Sequence, residues 1–232
     1  MSTELVLTGL LPSALHVSLL STLSQFCEKG EAFSLLEKVY KRSGAAAGDV
    51  RVRVRALTLR SEAGGGTGVQ DTRWSLTVLH KPEPARISPN ALQYSVSEML
   101  LEEGVSPDEM ASAFGFEEKD FELRKRGTRW QRSGVLIEVY QLYADDTAST
   151  PLDPKTHVVQ ASVRFSQTTS QTSSNSNSTT TGANRSSTPN SGPQNQGNGG
   201  GNSGQEEREK ALNALEGVKR ALKGLVDLKR LE

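Results

Sequence analysis

Short segments of alternating apolar and polar residues constrain this chain more than any other feature. In the clearest of them, segment 50-60, three valines alternate with three arginines, namely Val50, Val52 and Val54 with Arg51, Arg53 and Arg55. Successive side chains of a strand point to opposite faces of a sheet, so a period of two predicts a β-strand. Seven further segments are predicted strands: 5-11, 33-41, 73-81, 91-97, 120-126, 134-144 and 156-166.

A sheet of about eight short strands has two edges that pair with other chains unless they are covered or removed. Closure into a barrel removes both edges. Most connections between the predicted strands are of hairpin length, which favours antiparallel pairing. A two-sheet sandwich would also fit this pattern. We favour an antiparallel β-barrel of about eight strands.

Three segments have a helical period instead. The first begins near Ser13 and ends near Gly30, with apolar residues at Leu15, Leu19, Leu23 and Phe26. The second is short, and the capping box Ser106-Pro107-Asp108-Glu109 opens it. The third has a stripe at Leu212, Leu215, Val218, Leu222 and Leu225. The predicted class is therefore α+β, mainly antiparallel β, with helices flanking the barrel and an amphipathic helix at the C-terminus.

The composition divides the chain into three parts. Between Ser166 and Gly204 it is almost entirely Ser, Thr, Asn, Gln and Gly, with Ala183 as the single apolar residue. Such a segment cannot bury enough apolar surface to fold, so we expect a disordered tether. We expect a barrel domain over 1-165, the tether over 166-204, and a helix over 205-232. An isolated amphipathic helix is unstable, so this last helix is expected to dock on the barrel.

Charge and cysteine content limit the compartment and the partners. The 27 basic and 27 acidic residues give a formal net charge of zero, which offers no general attraction for nucleic acid or an acidic membrane surface. Cys27 is the single cysteine, so no disulfide can form within the chain. No apolar run approaches the roughly 18 residues that a membrane span needs. We expect a soluble intracellular protein that does not associate with membranes.

Motifs for catalysis are hard to find. The three histidines, His16, His80 and His157, lie far apart along the sequence, and no cysteine or carboxylate spacing suits zinc. The run Gly64-Gly65-Gly66-Thr67-Gly68 lacks the Gly-Lys-Ser/Thr ending of a phosphate-binding loop. We therefore expect no catalytic residue, no metal site and no cofactor.

The arginine row on segment 50-60 permits two interpretations. Inside a barrel it could bind a polyphosphate, as in metal-dependent triphosphatases of the tunnel-barrel type, which also need a cluster of inward glutamates. Glu4, Glu37 and Glu138 each stand alone on their predicted strands. We therefore interpret Arg51, Arg53 and Arg55 as part of a solvent-facing or partner-facing surface, and keep the triphosphatase as the alternative.

A second basic region surrounds an aromatic residue. Arg124, Arg126 and Trp130 lie in a stretch that also has Lys125, Arg129 and Arg132. Basic residues interleaved with an aromatic residue are typical of nucleic-acid binding. Four acidic residues immediately before this stretch cancel much of its charge, which argues against direct nucleic-acid binding. We favour a hairpin that binds protein, with Arg124 and Arg126 as contacts and Trp130 as an anchor.

An ordered set of residues along the chain resembles a known family. From Met110 to Tyr143 it comprises Phe114-Gly115-Phe116 after a short helix, Phe121-Glu122, Gly127, Trp130, Gly134 and a strand ending in Val139-Tyr140. Elsewhere it comprises a helix ending at Phe26-Cys27, the Val/Arg strand, the Trp74 strand, a Val-rich strand at 158-165 and the ending Lys229-Arg230-Leu231. This order resembles that of the subunit 18 family of the Mediator complex, in its fungal form.

The resemblance implies an antiparallel β-barrel in Mediator's head module. It implies a heterodimer with subunit 20, capture of a helix from subunit 8, and contacts with other head subunits and the RNA polymerase II machinery. It also implies a non-enzymatic coactivator role in transcription regulation in the nucleus.

Overall fold

The computed structural model describes residues 2–28, 30–44, 51–60, 70–102, 104–145, 147–166 and 203–231. The strands are β1 (Ser2–Pro12), β2 (Glu31–Lys41), β3 (Arg51–Arg60), β4 (Gln70–Leu79), β5 (Leu92–Leu100), β6 (Glu118–Arg132), β7 (Val135–Tyr143) and β8 (Thr156–Ser166). The helices are α1 (His16–Phe26), α2 (Pro107–Ala113) and α3 (Ser203–Ala221), and a 3-10 turn over Ser13–Leu15 precedes α1. None of the helices among these residues is long and apolar enough to cross a membrane.

The eight strands form one closed sheet. Their order around the barrel is β1-β5-β4-β3-β2-β6-β7-β8, and each strand is antiparallel to both neighbours. The predicted antiparallel barrel is therefore confirmed, and the sandwich alternative is wrong. Closure leaves both sides of most strands hydrogen-bonded, which removes the edges that an open sheet would expose.

One strand is much longer than its sequence pattern indicates. β6 runs without interruption through Arg132, and its turn into β7 is made by Ser133 and Gly134, both with positive φ (49° and 80°). The predicted strand 120-126 ended too early because Gly127 and the surrounding basic residues mask the alternation. The basic stretch at 124–132 therefore belongs to one long strand that pairs with β2, and it forms one arm of the hairpin made by β6 and β7.

The main hydrophobic core lies outside the barrel. It consists of the outward side chains of β1, β7 and β8 together with the apolar faces of α1 and α3, including Leu19, Leu23, Leu215 and Leu222. A smaller core lies under α2, where Ala111 and Phe116 pack on β3 and β4. Ser106 caps α2 through a hydrogen bond from the Glu109 N–H to its Oγ (3.4 Å), which the sequence predicted. The helices thus cover part of the apolar outer surface of the sheet.

The C-terminal part of the chain packs on the barrel. Along α3, Ala211, Leu215 and Val218 are buried in the main core. Beyond the helix, Lys229 forms a short antiparallel bridge with Thr8 of β1. Almost all of the expected tether at 166-204 lies outside the described residues.

Gly127 provides a test of the packing between strands. A Cβ atom at this position would lie 2.0 Å from the carbonyl oxygen of Val139 and 2.7 Å from Cα of Tyr140, both backbone atoms of β7. Because neither atom can move without distorting the sheet, we expect Gly127→Ala to lower the free energy of unfolding by about 1–3 kcal/mol. Urea unfolding followed by circular dichroism measures this change.

Gly217 in α3 is the matched control, since a Cβ there meets no atom within 4 Å. Gly217→Ala should leave stability unchanged or raise it by about 0.5–1 kcal/mol, the usual gain in a helix. Equal stability of the two variants would contradict the close approach at Gly127.

Candidate functional site

All eight strands line a cavity of about 340 Å³ inside the barrel. Residues that alternate along each strand face this cavity, which we call the lumen. Its charged lining residues are Glu4, Arg55, Glu98, Lys125, Arg129, Glu138 and Arg164. The lumen is therefore the polar side of the sheet, and the apolar side faces outward.

Glu37 of β2 is the most enclosed carboxylate facing the lumen, with its side chain 3% exposed. Its oxygens lie 2.9 Å from Arg53 Nη1, 3.6 Å from Arg55 Nε and 3.7 Å from Lys125 Nζ. Burial alone would raise the pKa of Glu37, but the charges of Arg55, Lys125 and Arg53 outweigh it and lower the pKa to about 2. Glu37 is thus an ionised centre that holds three cations from β3 and β6.

A second ion-pair group lies where β1, β5 and β8 meet. Arg164 contacts Glu4 (3.4 Å) and Glu98 (2.5 Å). Burial would raise the pKa of Glu98, but Arg164 beside it lowers the pKa below its ordinary value. This group ties the first and last strands of the barrel together through their side chains as well as through backbone hydrogen bonds.

Glu138 of β7 behaves differently from Glu37. It is 8% exposed, and burial raises its pKa above the ordinary value despite the charges of Lys125, Arg55 and Arg129. Arg129, opposite Glu138 in the strand register, is directed to Glu31 at the end of β2, at 3.1 Å. The raised pKa of Glu138 therefore favours the protonated form of its carboxyl group.

The arrangement of glutamates and cations in the lumen determines whether it can hold a metal ion. Four glutamates from four different strands, Glu4, Glu37, Glu98 and Glu138, converge there, but cations lie between them. Among the described residues, no group of three or more His, Cys, Asp or Glu side chains is placed to hold a metal ion. The observed arrangement is a network of ion pairs across the barrel.

The arginine row does not form the outer surface that its sequence suggested. Arg53 and Arg55 point into the barrel towards Glu37, so the expectation of a solvent or partner face is corrected for these two. Arg51, at the start of β3, pairs with Asp120 of β6 at 3.2 Å and is half exposed. Alternation identifies two faces of a strand, but it does not say which face is inside a barrel.

The second predicted group is divided by the same alternation. Arg124 and Arg126 face outward over a shallow depression between β2, β3, β4 and β6. Arg126 donates to the carbonyl of Ala148 (3.0 Å) and stacks over the ring of Tyr143 (4.5 Å). Trp130 is 5% exposed in the main core, so it is a packing residue and not an exposed anchor. The six predicted residues therefore do not form one surface.

An apolar groove on the outside of β3, β4 and β5 was not predicted. It has a volume of about 810 Å³ and is lined by Val52, Leu76, Val78, Met99, Phe114 and Phe116, with Arg42 and His80 among its polar residues. Phe114 is 52% exposed and Met99 is 38% exposed. Three strands present apolar outward faces here, whereas α2 has only seven residues to cover them. The groove could have been predicted from the sequence, because the predicted helix is too short to cover the apolar faces of three strands.

Contacts with α2 fix one wall of this groove. Asp108 accepts hydrogen bonds from Tyr40 Oη (2.8 Å) and Lys38 Nζ (3.0 Å), both on β2. The Arg42 guanidinium lies over the ring of Phe116, 5.1 Å from its centroid. Contacts with Tyr40 and Lys38 hold the helix start on the barrel, and Arg42 contacts Phe116 beyond its end, so the groove is a preformed apolar surface with a basic residue beside it.

Comparisons with known proteins bear on the fold. No family model matches the chain, and no curated protein matches it in sequence. A chain in the structure of the Schizosaccharomyces pombe Mediator head module is similar, with a TM-score of 0.65, 18% identity and coverage of 99% of this chain and 98% of that chain. A Pyrococcus horikoshii OT3 protein has a TM-score of 0.57, 13% identity and coverage of 99% and 94%.

A Hippeastrum protein described as having a dominant triphosphatase activity reaches a TM-score of 0.43, with 12% identity and coverage of 70% and 80%. A likeness at that level carries no argument about this chain. The two higher scores show that the whole barrel with its helices is a fold that this chain shares with the other two proteins.

Glu37 provides a test of the lumen network. Glu37→Gln would leave Arg53, Arg55 and Lys125, which are largely enclosed, without the carboxylate that all three contact. Removal of one partner from a buried ion pair costs about 3–5 kcal/mol, so we expect the free energy of unfolding to fall by that amount. Because the pKa of Glu37 is lowered to about 2, its contribution is present above about pH 4.5 and lost as the pH falls towards 2. Urea unfolding between pH 2 and 7 measures both effects.

Glu31 is the matched control, since it also pairs with an arginine but its side chain is 51% exposed. Glu31→Gln should change stability by no more than about 1 kcal/mol. If Glu37→Gln were as mild as Glu31→Gln, Glu37 would not be the centre of the network.

Proposed function

We propose that this chain is a non-enzymatic subunit of the Mediator coactivator complex, in its head module, and that it acts by binding other subunits during transcription by RNA polymerase II in the nucleus. The observation that carries the proposal is the full-length similarity in fold to a chain of the S. pombe Mediator head module. The ordered sequence features around Phe114-Gly115-Phe116 and Val139-Tyr140 support it independently.

The apolar groove supplies the chemistry of binding. Its floor is formed by apolar side chains of the sheet, and Phe114 and Phe116 form one wall. An amphipathic helix inserts side chains from successive turns into such a groove, with apolar residues at i, i+3, i+4 and i+7. We propose that the groove takes the helix of subunit 8, with an acidic residue of that helix near Arg42.

The heterodimer with subunit 20 needs a second surface. The outward depression beside Arg124 and Arg126 lies on β2 and β6, next to the groove but separate from it. Its floor has small side chains, including Ala32, Ser34 and Ala56, which let another backbone approach closely. We propose that this face, with Arg124 and Arg126 at its border, contacts subunit 20.

The charged lumen also defines the enzymatic alternative. Four inward glutamates beside Arg53 and Arg55 are what a tunnel-type triphosphatase would need, but three of them, Glu4, Glu37 and Glu98, are already paired with cations. We expect no manganese-stimulated release of phosphate from a nucleoside triphosphate. Turnover that disappears in Arg55→Ala would overturn the non-enzymatic proposal.

The groove can be tested by purifying a tagged full-length chain from nuclei. We expect Mediator head subunits as stoichiometric companions. The double variant Met99→Glu, Phe114→Ser places charge and polarity in the groove, and should reduce recovery of subunit 8 at least ten-fold while subunit 20 remains bound. Quantitative mass spectrometry of the purified material measures both.

Leu152→Ser is the matched control, because Leu152 is also an exposed apolar residue (65%) and does not line the groove. This variant should keep every companion. Loss of all companions from Leu152→Ser, or retention of subunit 8 by the groove variant, would contradict the assignment of the groove.

A further inference from the structure

One carboxyl group in the lumen is buried without a direct partner. Glu138 is 8% exposed and lines the cavity of about 340 Å³, and among the described residues none donates a hydrogen bond to it or forms an ion pair with it. The charged groups around it are Lys125 and Arg129 of β6, Arg55 of β3 and Glu4 of β1. Because a buried polar group without a partner is costly, Glu138 marks a place where the lumen can receive a ligand.

The ion pairs of the lumen contain more cations than carboxylates. Among the described residues, five basic side chains take part in these pairs, namely Arg53, Arg55, Lys125, Arg129 and Arg164. Their partners are four carboxylates, namely Glu4, Glu31, Glu37 and Glu98. Burial favours the neutral form of Glu138. The five positive charges therefore exceed the four negative ones by one, which suits a ligand with a single negative charge.

One end of the lumen is apolar. Phe33, Leu35 and Tyr140 form a buried cluster there, and the half-buried side chains of Leu57, Leu59, Leu142 and Val158 pack against it. Leu35 and Leu57 also line the cavity that Glu138 faces. The cavity therefore passes from a charged region into an apolar one, which is the arrangement that an amphiphilic ligand requires.

Tyr140 lies where the two regions meet. Lys125 Nζ is 5.0 Å from the centroid of its ring, whereas Phe33 contacts the ring edge-to-face with centroids 6.4 Å apart. The Tyr140 hydroxyl donates to Gln160 Oε1 at 3.1 Å, and Gln160 lines the cavity. Because its oxygen accepts this bond, the amide N–H groups of Gln160 are the donors that it can offer to an anion.

We propose that the lumen binds one carboxylate amphiphile of medium chain length, with its carboxylate between Lys125, Arg55 and Glu138 and its hydrocarbon chain along Leu35 and Leu57. Two cations attract the carboxylate, and a neutral Glu138 donates its O–H to it. Apolar side chains remove the hydrocarbon chain from water. A polyphosphate carries several negative charges, so it would need more uncompensated cations than this lumen has.

The size of the cavity limits the length of the ligand. A volume of about 340 Å³ equals that of about eleven water molecules at about 30 Å³ each. A ligand of about ten non-hydrogen atoms therefore fits, which is the size of octanoate. Octanoate is the probe for the experiment below.

Calorimetric titration of the full-length chain with octanoate tests the proposal. We expect one octanoate to bind per chain, and the affinity to rise about four-fold for each CH₂ added between butanoate and octanoate, as apolar burial predicts. Octylammonium has the same chain with a positive head group and should not bind. Absence of octanoate binding to the folded chain, or equal binding of octylammonium, would overturn the proposal.

Two variants locate the bound octanoate. Lys125→Met removes a lumen cation and should weaken octanoate binding at least ten-fold. The double variant Met99→Glu, Phe114→Ser changes the groove on the outside of the barrel and is the matched control, since it should leave the octanoate affinity unchanged. The opposite pattern would place octanoate in the groove and overturn the proposal.

Glu138→Gln tests the third contact. Glutamine is uncharged and still donates a hydrogen bond, so this variant should bind octanoate at least as tightly as the unaltered chain. A ten-fold loss, with the strand signal in circular dichroism preserved, would overturn the placement of the carboxylate beside Glu138. The titrations of the unaltered chain decide the proposal even if a variant does not fold. None of these measurements uses a partner subunit, so the outcome is independent of the proposed function.

Discussion

The sheet closes with its charged side inward, and this orientation determines where the apolar surface, the covering helices and the groove lie. Alternate residues of the strands place Glu37, Arg55 and Lys125 in the lumen, so the valines and leucines between them have to face outward. Apolar surface outside a barrel is unfavourable in water unless something covers it. α1 and α3 cover one side of this barrel, and α2 covers part of the other.

This arrangement explains which part of the outer surface remains apolar and exposed. Glu4, Glu37 and Glu98 pair with cations of the lumen, so these charges compensate one another within the barrel. The outer face of β3, β4 and β5 is different, because α2 is too short to cover it and an apolar groove remains. A chain built in this way exposes an apolar surface beside its short helix. On the other side of the barrel, the same outer surface packs against helix α3.

The sequence predicted the strands well and the functional surfaces less well. All eight strands and three helices were recognisable from their period, since each has a local pattern of apolar residues. β6 was recognised only in part: the predicted strand ended at residue 126, because the basic residues and Gly127 hide the alternation beyond it. Arg53, Arg55 and Trp130 were assigned to a partner surface, but the first two face the lumen and the third is core. The glutamates that meet in the lumen lie on different strands, and no local pattern connects them.

The alternating residues and the helix starts could be predicted from the sequence alone, whereas the sequence favoured a closed barrel without excluding a sandwich. Those properties depend on neighbours within a few positions, and side-chain direction in a strand follows from backbone geometry alone. Three features could be seen only in the tertiary structure: which face forms the lumen, which carboxylates pair with which cations, and which apolar face is uncovered. Those outcomes depend on the order of strands around the barrel and on the places where the helices pack, and both are set by contacts between residues far apart in the chain.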